Sequence, residues 1–265
     1  MKASIIQTFE NFKSNPTLVQ SITNYVVMNN TANALLAIGA SPIMAHAHEE
    51  MSDMSQIIHS LVINIGTLDA YWVESMQKAA SFANNNHKPW VLDPVGAGAS
   101  AYRNDVLGRL LSQHPTVIRG NASEIMALAK ESINSKGVDS SNSSDEAVSA
   151  AKLLSKAYGA VVCVSGEIDY VIEGERMASI GNGNSLMSKV TGMGCTATAI
   201  IGAILGGQKD AFLATLTAMA VMGVAGEMAY EKAVGPGTLQ LHFYDALYEL
   251  TPDVLERSIK LGSHA

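Results

Sequence analysis

Short unbroken apolar runs alternate along the chain with longer stretches in which apolar residues recur at helical spacing. Runs of strand length fall at 42–45, 61–65, 90–93, 116–119, 161–165 and 170–173. Several are continuous Val/Ile/Leu segments, the pattern of central parallel strands covered on both faces. Helical spacing marks 24–38, 68–85, 101–111, 123–130 and 145–158. Strand-then-helix repetition of this kind predicts a doubly wound α/β sheet, and such sheets bind ligands beyond the carboxyl ends of their strands. From Cys195 to about Lys260 only helices are predicted, with breaks near Gly206-Gly207 and Gly235-Pro236-Gly237, so a helical layer on one face of the sheet is expected. Residues 132–144, rich in Ser and Asn, read as a surface loop. Ser143 and Glu146 have the spacing of a capping box that restarts a helix. No repeat or composition break divides residues 1–265, and a single domain is expected.

Composition narrows the function. A net charge of −7 over 265 residues, with no Lys/Arg stripe, excludes nonspecific nucleic-acid binding. The two cysteines, Cys163 and Cys195, lie in unlike contexts, which argues against a disulfide and for a reducing cytoplasm. Residues 1–13 lack a hydrophobic signal segment, so no signal peptide is expected. Residues 190–208 and 211–226 carry no charge, yet they are built from Ala, Gly and Thr and fall short of a strongly apolar span. Helices buried on all sides account for them, without a membrane.

Four places can carry chemistry. Val190-Thr191-Gly192-Met193-Gly194-Cys195 joins a polar turn to an uncharged helix. Its glycines allow a sharp turn and close approach to a ligand. The helix directs its free N–H groups and positive dipole end back at that turn, making an anion site beside Cys195. Asp93-Pro94-Val95-Gly96-Ala97-Gly98 follows a buried strand. Asp93 there suits Mg²⁺ held through water, and equally a cap for the next helix. In Arg119-Gly120-Asn121-Ala122-Ser123-Glu124, Asn121 and Glu124 share one side of a starting helix and Arg119 suits phosphate oxygens. N-capping by Asn121 with Glu124 in the first turn explains the pair as well. Ser165-Gly166-Glu167 either lines a phosphate site or merely turns the chain into the next strand. A Walker A motif is absent, no dinucleotide fingerprint follows the first strand, and the histidines lack metal-ligand spacing. The many methionines read as gap-filling core.

Taken in order, the Asp93, Arg119 and Gly192 motifs resemble the ribokinase-like superfamily. With Thr23-Asn24-Tyr25-Val26-Val27, Gly39-Ala40-Ser41-Pro42-Ile43-Met44-Ala45 and Asn64-Ile65-Gly66-Thr67-Leu68, the chain is similar to the hydroxyethylthiazole kinases from about residue 18 to about 235. The resemblance implies an αβα sandwich with a mostly parallel sheet. It also implies ATP- and Mg²⁺-dependent phosphorylation of the hydroxyl of 4-methyl-5-(2-hydroxyethyl)thiazole, in thiamine synthesis and salvage. By likeness, Met44 and Gly192 contact the thiazole and Asn24 helps close its pocket. Arg119, Ser165, Asn121 and Gly194 serve ATP, and Asp93 and Glu124 are the magnesium-associated carboxylates. A homotrimer with sites between subunits is implied too. Cys195 stands where most superfamily kinases carry an Asp base, so it acts either as a base or only through its position and backbone N–H. Other readings remain: a kinase of a hydroxymethylpyrimidine or pyridoxal type, an ATP-dependent dehydratase of hydrated nicotinamide cofactors, or a nucleotide sensor without turnover.

Overall fold

The computed structural model describes residues 1–133 and 143–263. Most of the Ser/Asn-rich stretch 132–144, and the capping contact expected of Ser143, lie outside the described residues. The chain opens with α1 (Lys2–Ser14), β1 (Leu18–Ile22), α2 (Met28–Ile38), β2 (Ser41–Ile43), α3 (Met51–Ile57), β3 (Ser60–Asn64) and α4 (Ala70–Asn85). It continues through β4 (Trp90–Asp93), α5 (Ala101–Leu111), β5 (Val117–Asn121), α6 (Ala122–Ile133), α7 (Ser143–Tyr158) and β6 (Val161–Ser165). A hairpin and return strand, β7 (Asp169–Glu173) and β8 (Arg176–Ile180), precede α8 (Met193–Leu205), α9 (Ala211–Lys232), α10 (Pro236–Glu249), α11 (Pro252–Ser258) and β9 (Leu261–Ser263).

The strands form one nine-stranded sheet in the order β2-β1-β3-β4-β5-β6-β7-β8-β9. Pairing is parallel from β2 through β6 and antiparallel from β6 to β9. Alternation along each strand sends successive side chains to opposite faces. Val62, Val91, Val117, Val161 and Cys163 pack with α1, α2, α8, α9 and α10. Leu61, Ile63, Leu92, Ile118, Val162 and Val164 pack with α4, α5, α6 and α7. The expected helical layer from the C-terminal third therefore covers one face, and two cores sandwich the sheet.

Several expectations need correction. Strand β1 was not predicted: Gln20 and Ser21 interrupt its apolar run, yet both are buried. Gln20 is satisfied there by donating through Nε2 to the Ala45 carbonyl at 3.1 Å. The helix expected from residue 24 starts only at Met28, because Asn24 folds back to accept the Val26 N–H at 3.1 Å in an Asx turn. The strand expected at 42–45 is shifted to Ser41–Ile43. α1, α3, β8 and the terminal β9 are additional, the last ending the all-helical run.

Helix α9 is long and apolar enough to cross a membrane, but 78% of its most apolar window is buried within the protein. It packs on α8 and the sheet, and its buried residues are mostly small ones, Ala, Thr and Gly, with Val and Met among them. Helix α8 lies close on the strands below it: a Cβ on Gly202 would run into the Val62 side chain. Its C-terminal turn is tied down by Ser60 Oγ donating to the Gly202 carbonyl at 2.6 Å and Thr17 Oγ1 to that of Ala203 at 2.7 Å. These contacts fix the helix axis, and so the position of its N-terminal turn over the strand ends.

Candidate active site

Strand parity assembles the site. The residues on the α8 side of β3, β4, β5 and β6 include Val62, Val91, Val117 and Cys163. Two residues further along each strand, the same face presents Asn64, Asp93, Arg119 and Ser165 at the carboxyl ends. Apolar residues followed by polar ones on the same strand face thus bring four polar side chains under the start of α8.

That start is a sharp turn. Gly192 has φ +82°, a left-handed conformation that suits glycine, and Val27 packs where its Cβ would lie. The first intrahelical bond of α8 runs from Thr196 N–H to the Gly192 carbonyl at 2.8 Å. The preceding N–H groups of Met193, Gly194 and Cys195 are left pointing out of the helix, as helix N-termini require.

A chain of hydrogen bonds links this turn to the strands. Asn24 Nδ2 donates to Asn64 Oδ1 at 2.8 Å and to Cys195 Sγ at 3.6 Å. Asn64 Oδ1 also accepts the Gly66 N–H at 2.9 Å, while its Nδ2 donates to Asp93 Oδ2 at 2.8 Å. Thr198 Oγ1, one turn into α8, donates to the same carboxylate oxygen at 2.7 Å. Asp93 is 1% exposed, and its other oxygen, Oδ1, has no hydrogen-bond partner. Burial pushes its carboxyl up to about 6, against the opposing pull of Arg119 and Thr198. The Cys195 thiol is raised to about 11, by burial first and by the Asp93 charge second, with hydrogen bonds from Asn64 and Asn24 opposing. Cys195 is therefore a thiol at neutral pH.

On the other side of the turn lies a cavity of about 800 Å³, lined by Arg119, Ser165 and Gly194 among others. The Arg119 guanidinium lies against Gly194, where a Cβ would come within 2.8 Å of Nη1. Its Nη2 donates to Ser165 Oγ at 2.6 Å, and its buried Nε has no partner. Asp169, at the start of β7, lines the same cavity and accepts the Gly166 N–H at 3.1 Å. Burial raises its carboxyl to about 6, opposed by the Gly166 hydrogen bond and the Arg119 charge. Met187, Met193, Met219 and Met222 also line it and give it a methionine wall.

The ambiguous motifs now separate. Helix α5 is capped by Ser100, which accepts the Arg103 N–H, so Asp93 is no cap. Asn121 and Glu124 do form a reciprocal capping pair, Glu124 N–H to Asn121 Oδ1 and Asn121 N–H to Glu124 Oε2, each at 2.9 Å. Glu124 Oε1 also accepts the Gly96 N–H at 3.1 Å, which brings the Asp93 and Arg119 turns together. Ser165 ends one strand of an antiparallel pair, as the simple turn reading requires, and still faces the cavity. Arg119, Ser165 and Gly194 line the cavity; Asn24, Asp93 and Cys195 share the hydrogen-bond chain. Met44 stands apart, half-buried just beyond edge strand β2. The methionines split: Met51 is core, whereas Met187 and Met193 are partly open on the cavity.

Sequence reasoning named Asn64 only within a family-like stretch, without a role, and passed over Thr198 and Arg103. Arg103 donates to the carbonyls of Ile65 (2.6 Å), Val95 (2.8 Å) and Gly66 (2.8 Å), clamping two of the turns. The available signal for Asn64 was an amide ending an apolar strand in line with Asp93, its register partner. For Thr198 it was a hydroxyl three residues after Cys195 on a helix with no charge. The residues of 181–188 that line the cavity carried no motif.

A family model described as the hydroxyethylthiazole kinase family matches residues 9–253. A hydroxyethylthiazole kinase of Leptospira biflexa serovar Patoc is 55% identical over 255 residues, covering 96% of this chain and 96% of that one. Among solved structures, a hydroxyethylthiazole kinase protein from Pyrococcus horikoshii OT3 is 41% identical, covers 100% of both chains and superposes with a TM-score of 0.93. A pyridoxal kinase from Staphylococcus aureus in complex with AMP-PCP superposes with a TM-score of 0.60 over 80% of this chain and 89% of that one. At 14% identity this is a likeness of fold alone.

The state of Asp169 has a measurable consequence. Its native carboxyl titrates at about 6 against an ordinary 3.8, so between those values the native state holds more protons than the unfolded one. Stability from this group therefore falls as pH rises through that window. Asp169→Asn keeps an acceptor for Gly166 and removes the effect. In urea titrations from about pH 4 to 7 the variant is expected to gain on the parent by about 2 kcal/mol; parallel pH profiles would contradict the assignment.

Proposed function

The chain belongs to the hydroxyethylthiazole kinase family, and from that premise we propose that it transfers the γ-phosphoryl group of ATP to the hydroxyl of 4-methyl-5-(2-hydroxyethyl)thiazole, serving thiamine synthesis and salvage. The observation that supports this most is the position of the α8 N-terminus. One side of that turn faces a cavity holding Arg119 and Ser165, and the other faces the Asn24–Asn64–Asp93 chain beside Cys195.

In this reading ATP occupies the cavity, with its phosphates toward Arg119, Ser165, Asn121 and Gly194 and its base against the methionine wall. The thiazole sits across the turn, near Met44, Gly192 and Asn24. Its alcohol oxygen, held near Cys195, attacks the γ-phosphorus in line; the new O–P bond forms as the bond to the β-phosphate oxygen breaks, the hydroxyl proton passes to an oxygen of the transferred phosphoryl group, and ADP leaves. Phosphoryl transfer has a loose transition state that depends on positioning and charge stabilisation. The unpaired N–H groups of Met193, Gly194 and Cys195 suit the oxygens of the transferring group. Because the Cys195 thiol is raised to about 11, it is not a ready-made base, and its role is to position the alcohol.

The residues present fit Mg²⁺. Asp93 Oδ1 is a buried hard oxygen without a partner, and Glu124 lies on the adjoining turn. No group of three or more His, Cys, Asp or Glu side chains suited to a metal occurs among the described residues. Mg²⁺ keeps waters and phosphate oxygens as most of its ligands, so one or two carboxylates suffice. Asp93 and Glu124 would hold it through water, and when bound it offsets phosphate charge. A single kinase domain, a homotrimer and a cytoplasmic setting complete the reading. The exposed Tyr25 and Val26, next to the Val27 that covers Gly192, support a subunit contact on the acceptor side, and the unpaired Cys163 and Cys195 suit a reducing compartment.

With ATP and Mg²⁺, ADP formation is expected with the thiazole alcohol and not with pyridoxal or hydroxymethylpyrimidine. No turnover of the thiazole would sink the proposal. Cys195→Ala is expected to lower kcat by less than about tenfold, roughly 1.4 kcal/mol. A loss beyond about a thousandfold would instead give the sulfur a direct part in proton transfer.

A further inference from the structure

Helix α9 carries no charge from Ala211 through Gly226; its first charged residue is Glu227. The Glu227 carboxylate is half-buried and fully engaged. Oε1 accepts the Gly183 N–H at 3.0 Å and Lys260 Nζ at 2.8 Å, and Oε2 accepts Asn182 Nδ2 at 3.1 Å. Asn182 in turn donates to the Ser258 carbonyl at 2.9 Å and accepts the Lys260 N–H at 2.6 Å. Gly181 N–H donates to the Lys260 carbonyl at 2.9 Å. One carboxylate thus joins α9, the segment after β8 and the chain entering β9.

The segment it holds is a wall of the cavity: Gly181, Asn182, Gly183, Asn184, Ser185 and Met187 all line it. Helix α9 is cut away to seat that wall. A Cβ on Gly223 would lie 2.7 Å from the Asn182 carbonyl oxygen, and one on Gly226 would meet the Met187 thioether. Gly183, at φ +133°, turns the backbone so that its N–H reaches the carboxylate. Asn182 is 5% exposed and its amide is spent inside the protein.

We infer that Glu227 is a positioning residue for the nucleotide: it acts through Asn182 and Gly183 to hold the 181–187 wall at the spacing ATP requires, without touching the reacting atoms. This rests on the reading of the cavity as the ATP site. The carboxylate accepts from three donors, whereas the amide of a glutamine sets its own N–H₂ against at least one of them. The wall then shifts while Asp93, Cys195 and the acceptor side, which share no hydrogen bond with this cluster, stay in place.

The test uses the full chain, with steady-state kinetics and direct titration of ATP. Glu227→Gln is expected to raise both KM and Kd for ATP about tenfold. KM for the thiazole alcohol and kcat at saturating ATP are expected to stay within about twofold. Glu227→Asp restores part of the affinity. If Glu227→Gln does not fold, Lys260→Met, which removes one donor from an exposed side chain, is expected to weaken ATP in the same selective way. Unchanged ATP binding in these variants, or a loss shared equally by kcat and the alcohol KM, would overturn the inference. Failure of the unsubstituted protein to bind ATP would overturn the nucleotide reading itself, and this inference with it.

Discussion

Asp93 is the residue on which the rest of the site depends. Its carboxylate is buried and receives hydrogen bonds from Asn64 on a neighbouring strand and Thr198 on the covering helix. An unpaired ionised carboxylate in such a place is costly; hydrogen bonds to a charged group return about 1.5–3 kcal/mol each. Those two bonds also set geometry. They fix the first turn of α8 against the ends of β3 and β4, and with it the exposed N–H groups and Cys195. Arg119, on the cavity side of the same turn, lies against Gly194, while the Asn24 amide joins the chain through Asn64.

The composition of the C-terminal helices follows from that geometry. A helix that must lie on strand backbones needs small residues, and α8 meets the sheet through Gly202 and a run of alanines and threonines. Helix α9, buried beside it on the sheet, looks like a membrane span by length and hydropathy because it too faces protein on most sides. Polar contacts at Thr198, at the helix-end carbonyls held by Ser60 and Thr17, and at Glu227 tie this layer to the strands and to the cavity wall.

Much of this was legible in the sequence. The unbroken runs at 61–65, 90–93 and 161–165 marked central strands because burial on both faces leaves no polar positions to obscure them. Asp93, Arg119 and Ser165 stood out as polar residues ending such runs. Strand β1 escaped because Gln20 and Ser21 are buried polar residues whose environments arise only in the tertiary structure. The Asn121/Glu124 pair showed the opposite difficulty, since capping and ligand binding call for the same residues at the same spacing. Glu227 and Asn182 were invisible, for they are 45 positions apart and carry no motif.

The site turns on the negative charge of Asp93, and Asp93→Asn isolates it, since the amide oxygen can still accept from Thr198. The deciding measurement is kcat of this variant with ATP, Mg²⁺ and the thiazole alcohol. A fall of at least about a hundredfold is expected, with thermal stability and alcohol binding retained. A folded variant that keeps the parent kcat would contradict the central place given to this carboxylate.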